Sequence, residues 1–200
     1  MAPSEFSKDA VRLDAFEKRK ALPEDYRAAA ALSFKENFLK HIPLPAEKGA
    51  VISAYMPFNA ELDVKPLMIH LIGLGYRIVI PHVVNNAASL EFRTWTPETP
   101  VYRNLHGIEE SEQHYSDVLL PELMIVPLIA FDAAGNRMGY GSGQFDRTFA
   151  HLNDVRQKFF AVGVAFEAQR RDRVPTDMYD YPMHCIVTDT HFYNREESRA

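Results

Sequence analysis

The chain has 200 residues, the size of one domain, and its 46% hydrophobic and 24% charged side chains exclude intrinsic disorder as the main state. A formal charge of −5 excludes a nucleic-acid partner gripped by a wholesale basic surface, so any phosphate-bearing ligand must be held by local cations. Cys185 is the only cysteine, which excludes an intrachain disulfide, and its neighbours Ile186 and Val187 mark it as a buried small hydrophobe.

Met1-Ala2-Pro3-Ser4-Glu5 lacks the basic and apolar regions of a secretion signal, and no apolar run approaches the roughly 18 residues of a membrane span. A cytoplasmic protein with no membrane partner is expected. Lys8 to Lys20 reads as a helix with Val11, Ala15 and Phe16 on its apolar face. Pro23 breaks it, and Glu24 to Lys40 follows as a second helix with Tyr26, Ala30, Phe34 and Phe38 recurring every four residues. A single domain over 1–200 is expected, with this helical segment at about 8–42 and an α/β core at about 50–190.

Ala50 to Tyr55 has the length and apolarity of a strand, Pro66 to Leu74 of a helix closed by Gly75, and Arg77 to Ile80 of a second strand ended by Pro81. Strand, helix, strand in that order predicts parallel pairing and an α/β class. Leu90 to Trp95 predicts a further strand, whereas Thr96 to Glu122, with Pro97, Pro100 and Pro121, predicts mostly a long surface loop. Strands at Leu123–Val126, Phe159–Phe166 and Cys185–Val187 and a helix at Phe145–Val155 complete the reading. His82 after Pro81 and Trp95 read as structural, and the eight histidines show no zinc-ligand spacing.

The segment richest in chemistry runs from Val126 through Asp132, Gly135 and Arg137 to Met138-Gly139-Tyr140-Gly141-Ser142-Gly143-Gln144-Phe145-Asp146-Arg147. Alternating glycines allow positive φ and close backbone approach, so successive N–H groups can converge on an anion at the following helix N-terminus. The spacing matches neither the Walker pattern nor a dinucleotide fingerprint, and a purely structural glycine turn fits it as well. Arg137 and Arg147 bracket the glycines, and Asp146 either holds a divalent cation against phosphate or caps the helix. Lys8 and Arg12, four apart on one helix face, either converge on a polyphosphate or form a solvated basic face.

This segment resembles the signature of the 5-formyltetrahydrofolate cyclo-ligase family, also called 5,10-methenyltetrahydrofolate synthetases. The resemblance spans nearly the whole chain, through Lys8 and Arg12, Ala54-Tyr55-Met56-Pro57 with Glu61-Leu62-Asp63, Leu90-Glu91-Phe92, Gly107-Ile108-Glu109-Glu110, Val162 to Phe166 with Gln169, and Val174-Pro175 ahead of Asp180. It implies a three-layer α/β sandwich with a largely parallel central sheet, related to the sugar-phosphate isomerase and CoA-transferase type. It also implies ATP- and Mg²⁺-dependent conversion of 5-formyltetrahydrofolate to 5,10-methenyltetrahydrofolate, with ADP and phosphate released.

Carried over by position, Lys8 and Arg12 match the ATP-contacting pair, and Arg137, Met138, Gly139, Tyr140, Gly141, Ser142, Gly143, Gln144 and Phe145 match the nucleotide loop. Lys8, Arg12 and Arg137 are the expected catalytic cations. Met56 and Glu61 match folate-contacting positions, to which Tyr140, Gly141, Ser142, Gly143 and Gln144 also contribute, and Asp146 and Asp180 match the magnesium positions. Phosphoryl transfer to the formyl oxygen, then attack by N10, needs positioning and charge neutralisation, which this cation set suits. The alternative is a non-catalytic relative that binds reduced folate without turning it over. Departures from the family pattern are Ser142-Gly143-Gln144-Phe145 where Gly-Gly-Tyr-Tyr is usual, Ser111 in place of a proline, and His184 in place of a late aspartate. Oligomeric state is left open, a monomer being compatible with every feature.

Overall fold

The computed structural model describes residues 7–85, 87–105 and 107–195. Helices α1 (Lys8–Lys20) and α2 (Glu24–His41) lead into β1 (Val51–Ser53), α3 (Lys65–Gly73), β2 (Arg77–His82) and β3 (Glu91–Thr94). The hairpin of β4 (Val101–Arg103) and β5 (Glu109–Ser111) precedes β6 (Leu123–Pro127). Strands β7 (Ala130–Phe131) and β8 (Arg137–Met138), helix α4 (Gln144–Asp154), and strands β9 (Phe160–Val164), β10 (Cys185–Val187) and β11 (Phe192–Asn194) follow. Ser7 starts α1 by accepting the Ala10 N–H on its hydroxyl, and Lys18, Arg19 and Lys20 in the last turn complement its dipole.

The main sheet runs β11-β10-β9-β6-β1-β2-β3, with the five inner strands parallel and both edges antiparallel. Strand side chains alternate between two cores. Ile52, Ile78, Ile80, Ile125, Val162 and Val187 face Phe34 and Phe38 of α2 and Leu67, Met68 and Leu71 of α3. Val51, Val79, Met124, Val126, Ala161 and Ile186 face Phe149 and Leu152 of α4. Burial on both faces is why these strands read as continuous apolar runs, and the result is the α/β class expected from the element order and the three-layer sandwich that the family resemblance implied. Val11 and Ala15 seat α1 on Ile129, Ala130 and Met138 of the β7–β8 hairpin.

Segment 96–122 corrects the expectation of a long loop. It holds β4 and β5, paired antiparallel, and Val118 bridges to Arg93 on the sheet edge. The buried Glu110 carboxylate organises this hairpin by accepting from the Tyr102 hydroxyl at 2.7 Å, the Asn104 amide at 2.6 Å and the Val83 N–H at 3.3 Å. His82 lies against the same carboxylate and Gln113, which makes it structural, as expected. Trp95 is buried in the core beside β3, again a packing residue. Strand β11 and the two-residue strands β7 and β8 escaped the sequence reading.

From β1 the chain adds β2 and β3 on one side, and from β6 it adds β9, β10 and β11 on the other. The direction of strand addition therefore reverses between the neighbours β1 and β6, and the connections leaving their carboxyl ends diverge around a crevice. Residues 54–61 leave one lip of it and 128–143 the other. Among the described residues no helix is long and apolar enough to cross a membrane.

Candidate active site

After β6, the chain is held rigidly before it reaches the glycine segment. The Gln169 amide, 1% exposed, donates to the Leu128 and Ile129 carbonyls at 2.7 and 2.8 Å while its oxygen accepts the Phe166 N–H. Buried Asp132 accepts from the N–H groups of Ala134, Asn136 and Val174, closing the β7–β8 turn. Gly141 has φ +96°, and a Cβ there would lie 3.2 Å from the Arg12 guanidinium. Gly143 has φ +68° and forms the left-handed N-cap of α4, so the backbone turns abruptly into a helix that has no side-chain cap.

Four cations cluster about this turn, Arg12 and Arg147 against Gly141 and Gly143, and Arg137 and Lys8 on the neighbouring carboxylates. Arg12 donates from Nε to the Gly139 carbonyl at 3.0 Å. Arg137, buried under the loop with its guanidinium over the Phe149 ring, pairs with Asp146 at 2.8 Å and donates to the Tyr181 carbonyl. Asp146 also accepts the Tyr181 N–H at 3.0 Å, so it braces the 175–182 loop rather than capping α4. Lys8 pairs with Asp177 at 2.8 Å and Asp180 at 2.5 Å. Burial works against its ammonium, but the two carboxylates outweigh that and hold its pKa above the usual lysine value.

Every carboxylate expected to hold magnesium is thus neutralised by a cation expected to hold phosphate: Asp180 by Lys8 and Asp146 by Arg137. Two hard carboxylates beside cations expected to hold phosphate fit Mg²⁺, which takes one or two protein carboxylates and completes its shell with phosphate oxygens and water. Among the described residues no three His, Cys, Asp or Glu side chains form a self-sufficient metal cage.

On the far side of the loop, the Tyr140 hydroxyl donates to Glu61 Oε1 at 3.1 Å and accepts from Arg19 Nη2 at 2.6 Å. Glu61 Oε2 accepts the Phe58 N–H at 2.9 Å. Burial pushes the Glu61 carboxyl up to about 7, against the pull of Arg19, and pushes the Tyr140 phenol up to about 12. A carboxylate poised near neutrality in a crevice is suited to accepting from ring N–H donors.

The structure therefore gathers Lys8, Arg12, Arg137, Asp146, Asp180, Glu61 and the 139–143 turn around one crevice. Met56 differs: it is buried in the core with Tyr55 and Leu62, so its side chain packs rather than presenting itself to a ligand. Met138 is buried under α1, leaving only its backbone for a ligand, and Phe145 is half-buried against Phe149. Arg19 was missed. Its signal lies in the row Val11, Ala15, Arg19, where a charged residue occupies an apolar-stripe position.

The model of the 5-formyltetrahydrofolate cyclo-ligase family matches residues 4–189. The chain is 30% identical to the 5-formyltetrahydrofolate cyclo-ligase of Escherichia coli K12 over 148 residues, 72% of this chain and 80% of the relative. It is 34% identical to that of Haemophilus influenzae over 141 residues, 68% and 74% of the two chains.

The chain belongs to the 5-formyltetrahydrofolate cyclo-ligase family.

With that family it is a ligase. Its fold superposes on the NMR structure of 5,10-methenyltetrahydrofolate synthetase from Aquifex aeolicus with a TM-score of 0.78 at 26% identity, covering 96% of this chain and 95% of the other. Three departures from the cyclo-ligase pattern are absorbed by packing: half-buried Phe145 lies against Phe149, buried Ser111 donates to the Thr94 carbonyl, and His184 accepts the Ala161 N–H while stacking on Phe160. Ser142 is exposed on the turn and Gln144 is half-buried at the start of α4.

Proposed function

We propose that this cyclo-ligase family member converts 5-formyltetrahydrofolate to 5,10-methenyltetrahydrofolate at the expense of ATP, with Mg²⁺, using the crevice between β1 and β6. The observation that carries the reading is the pairing of its cations and carboxylates around the glycine turn: Lys8 with Asp180, Arg137 with Asp146, and Arg12 on the Gly139 carbonyl. A polyphosphate entering there exchanges partners with these pairs, taking the cations and freeing both carboxylates. The open backbone at 139–143 and the uncapped N-terminus of α4 add N–H donors for the phosphate oxygens.

Chemistry follows from the electronics of an N-formyl group, whose carbon is a poor electrophile while amide resonance holds it. Lys8, Arg12 and Arg137 hold ATP so that the formyl oxygen attacks the γ-phosphorus and the bond to the bridging oxygen breaks, releasing ADP. N10 then attacks the activated carbon, phosphate departs, and the N10 proton leaves to solvent, closing the methenyl bridge. Asp146 and Asp180 would hold Mg²⁺, which neutralises charge on the transferred group. Glu61 and Tyr140 take the folate, fixing the formyl oxygen relative to the phosphate loop. The proposal includes one domain over 1–200 and a cytoplasmic location, in keeping with a lone, buried thiol at Cys185.

Absorbance of the methenyl product tests it, with the protein, 5-formyltetrahydrofolate, ATP and Mg²⁺ together and with each omitted in turn. Product that requires both ATP and Mg²⁺ is the expected result. Folate binding without product would instead make the chain a binder that has lost turnover.

A further inference from the structure

Arg19 is among the largest fully buried side chains of the protein, at 1% exposure. Its Nη2 donates to the Tyr140 hydroxyl at 2.6 Å and the Asn59 carbonyl at 2.9 Å, while its guanidinium lies over the rings of Phe16 and Tyr140. The remaining donors, Nε and Nη1, are buried without a hydrogen-bond partner, and Nη1 stops 3.8 Å from Glu61 Oε1. A buried cation with idle donors is costly, and an apolar side chain of the same length would fill this space without that cost. Packing alone does not account for an arginine here.

We propose that Arg19 is a positioning residue for the folate end of the site, orienting the Tyr140 hydroxyl and the Glu61 carboxylate that receive the substrate. The proposal rests on the reading of Glu61 as the folate acceptor. Arg19 is too buried to touch a ligand and acts through these two side chains. It also ties the two ends of the site together, because α1 holds consecutive loop residues from one face: Arg12 the Gly139 carbonyl, Arg19 the Tyr140 hydroxyl. Seven residues of helix separate them by about 10 Å, a fixed spacer between the nucleotide and folate ends.

The electrostatics point the same way. The groups facing Glu61 are Arg19 from α1, Tyr140 from the glycine loop, and Tyr55 from the segment after β1, with Asp63 beside Tyr55. Burial favours the neutral carboxyl, and Arg19 is the largest opposing influence. Without it, Glu61 stays protonated at neutral pH and presents a hydroxyl donor where the substrate needs an acceptor.

The test is calorimetric binding of 5-formyltetrahydrofolate from pH 6 to 9 to the wild type, Arg19→Met, Arg19→Lys and Glu61→Gln, with KM for ATP and melting temperature measured in parallel. Arg19→Met is expected to weaken folate binding at least tenfold at pH 7 and to move the midpoint of its pH dependence up by at least one unit, with KM for ATP within twofold. Arg19→Lys, which keeps the charge but loses the fork, should restore the midpoint and only part of the affinity. Glu61→Gln should abolish the pH dependence. Arg19→Met with wild-type affinity and pH profile overturns the proposal. So does an equal loss of folate and ATP binding with a lowered melting temperature in both Arg19 variants, since that is a purely structural role. Wild-type protein that binds the folate but forms no methenyl product refutes the proposed function and leaves the role of Arg19 decided by its variants. Wild-type protein that binds no folate refutes both.

Discussion

Replacing Glu61 by glutamine should make the protein more stable at pH 8 while weakening folate binding and removing its pH dependence. The Glu61 side chain is only 6% exposed, and burial raises its carboxyl from 4.5 to about 7 in spite of Arg19 nearby. The folded protein therefore keeps a proton that the unfolded chain has already lost, and folding favours the neutral form. Its contribution to stability is full below about pH 4.5 and is lost as pH rises through about 7. Forcing ionisation over that interval costs about 3 kcal/mol. Glutamine is neutral throughout and can still accept the Phe58 N–H, so the variant avoids this cost. Urea unfolding followed by fluorescence of the single, buried Trp95 measures the difference. The expected gain is up to about 3 kcal/mol at pH 8, shrinking toward zero near pH 4.5. A variant less stable than wild type at pH 8, or a difference that does not change with pH, would refute the reasoning. The physical point is that burial makes the Glu61 charge unfavourable, a cost that the proposed folate contact would relieve.

Other expectations follow from the same geometry. Asp180→Asn should raise the Mg²⁺ concentration for half-maximal turnover at least tenfold and leave 5-formyltetrahydrofolate affinity unchanged; an unaltered Mg²⁺ requirement removes Asp180 from the metal site. Gln169→Leu strands the buried Leu128 and Ile129 carbonyls and the Phe166 N–H, so denaturant melts should show a loss of about 3 kcal/mol. The Cys185 thiol, pushed up to about 12 by burial, should resist alkylation at pH 8 in the folded protein and react at once in denaturant, and equal rates in both states would contradict its burial.

Local features made much of this protein readable from its residues. Helices α1 and α2 follow from four-residue periodicity and a proline break, and the inner strands from apolar runs that burial on both faces requires. The glycine turn, its flanking arginines and the order of the family motifs lie within the linear chain, so the family and the candidate residues were legible together. By contrast, the hairpin of β4 and β5 has little apolar signal of its own; it exists because Glu110 gathers Tyr102, Asn104 and the Val83 N–H.

Charge pairing over long separations was invisible for the same reason. Lys8 finds Asp180 only 172 positions later, and Arg19 finds Tyr140 121 positions later, through a docking of α1 that Val11 and Ala15 drive. The sequence by itself determined the family and, through the order of its motifs, which side chains are candidates for phosphate, metal and folate, because motif order lies in the linear chain. Tertiary structure alone decided that the crevice opens between β1 and β6, that each carboxylate waits on a cation, and that Arg19 lies beneath Glu61. Those facts depend on where helices pack against the sheet, and packing is set by contacts between residues far apart in the chain.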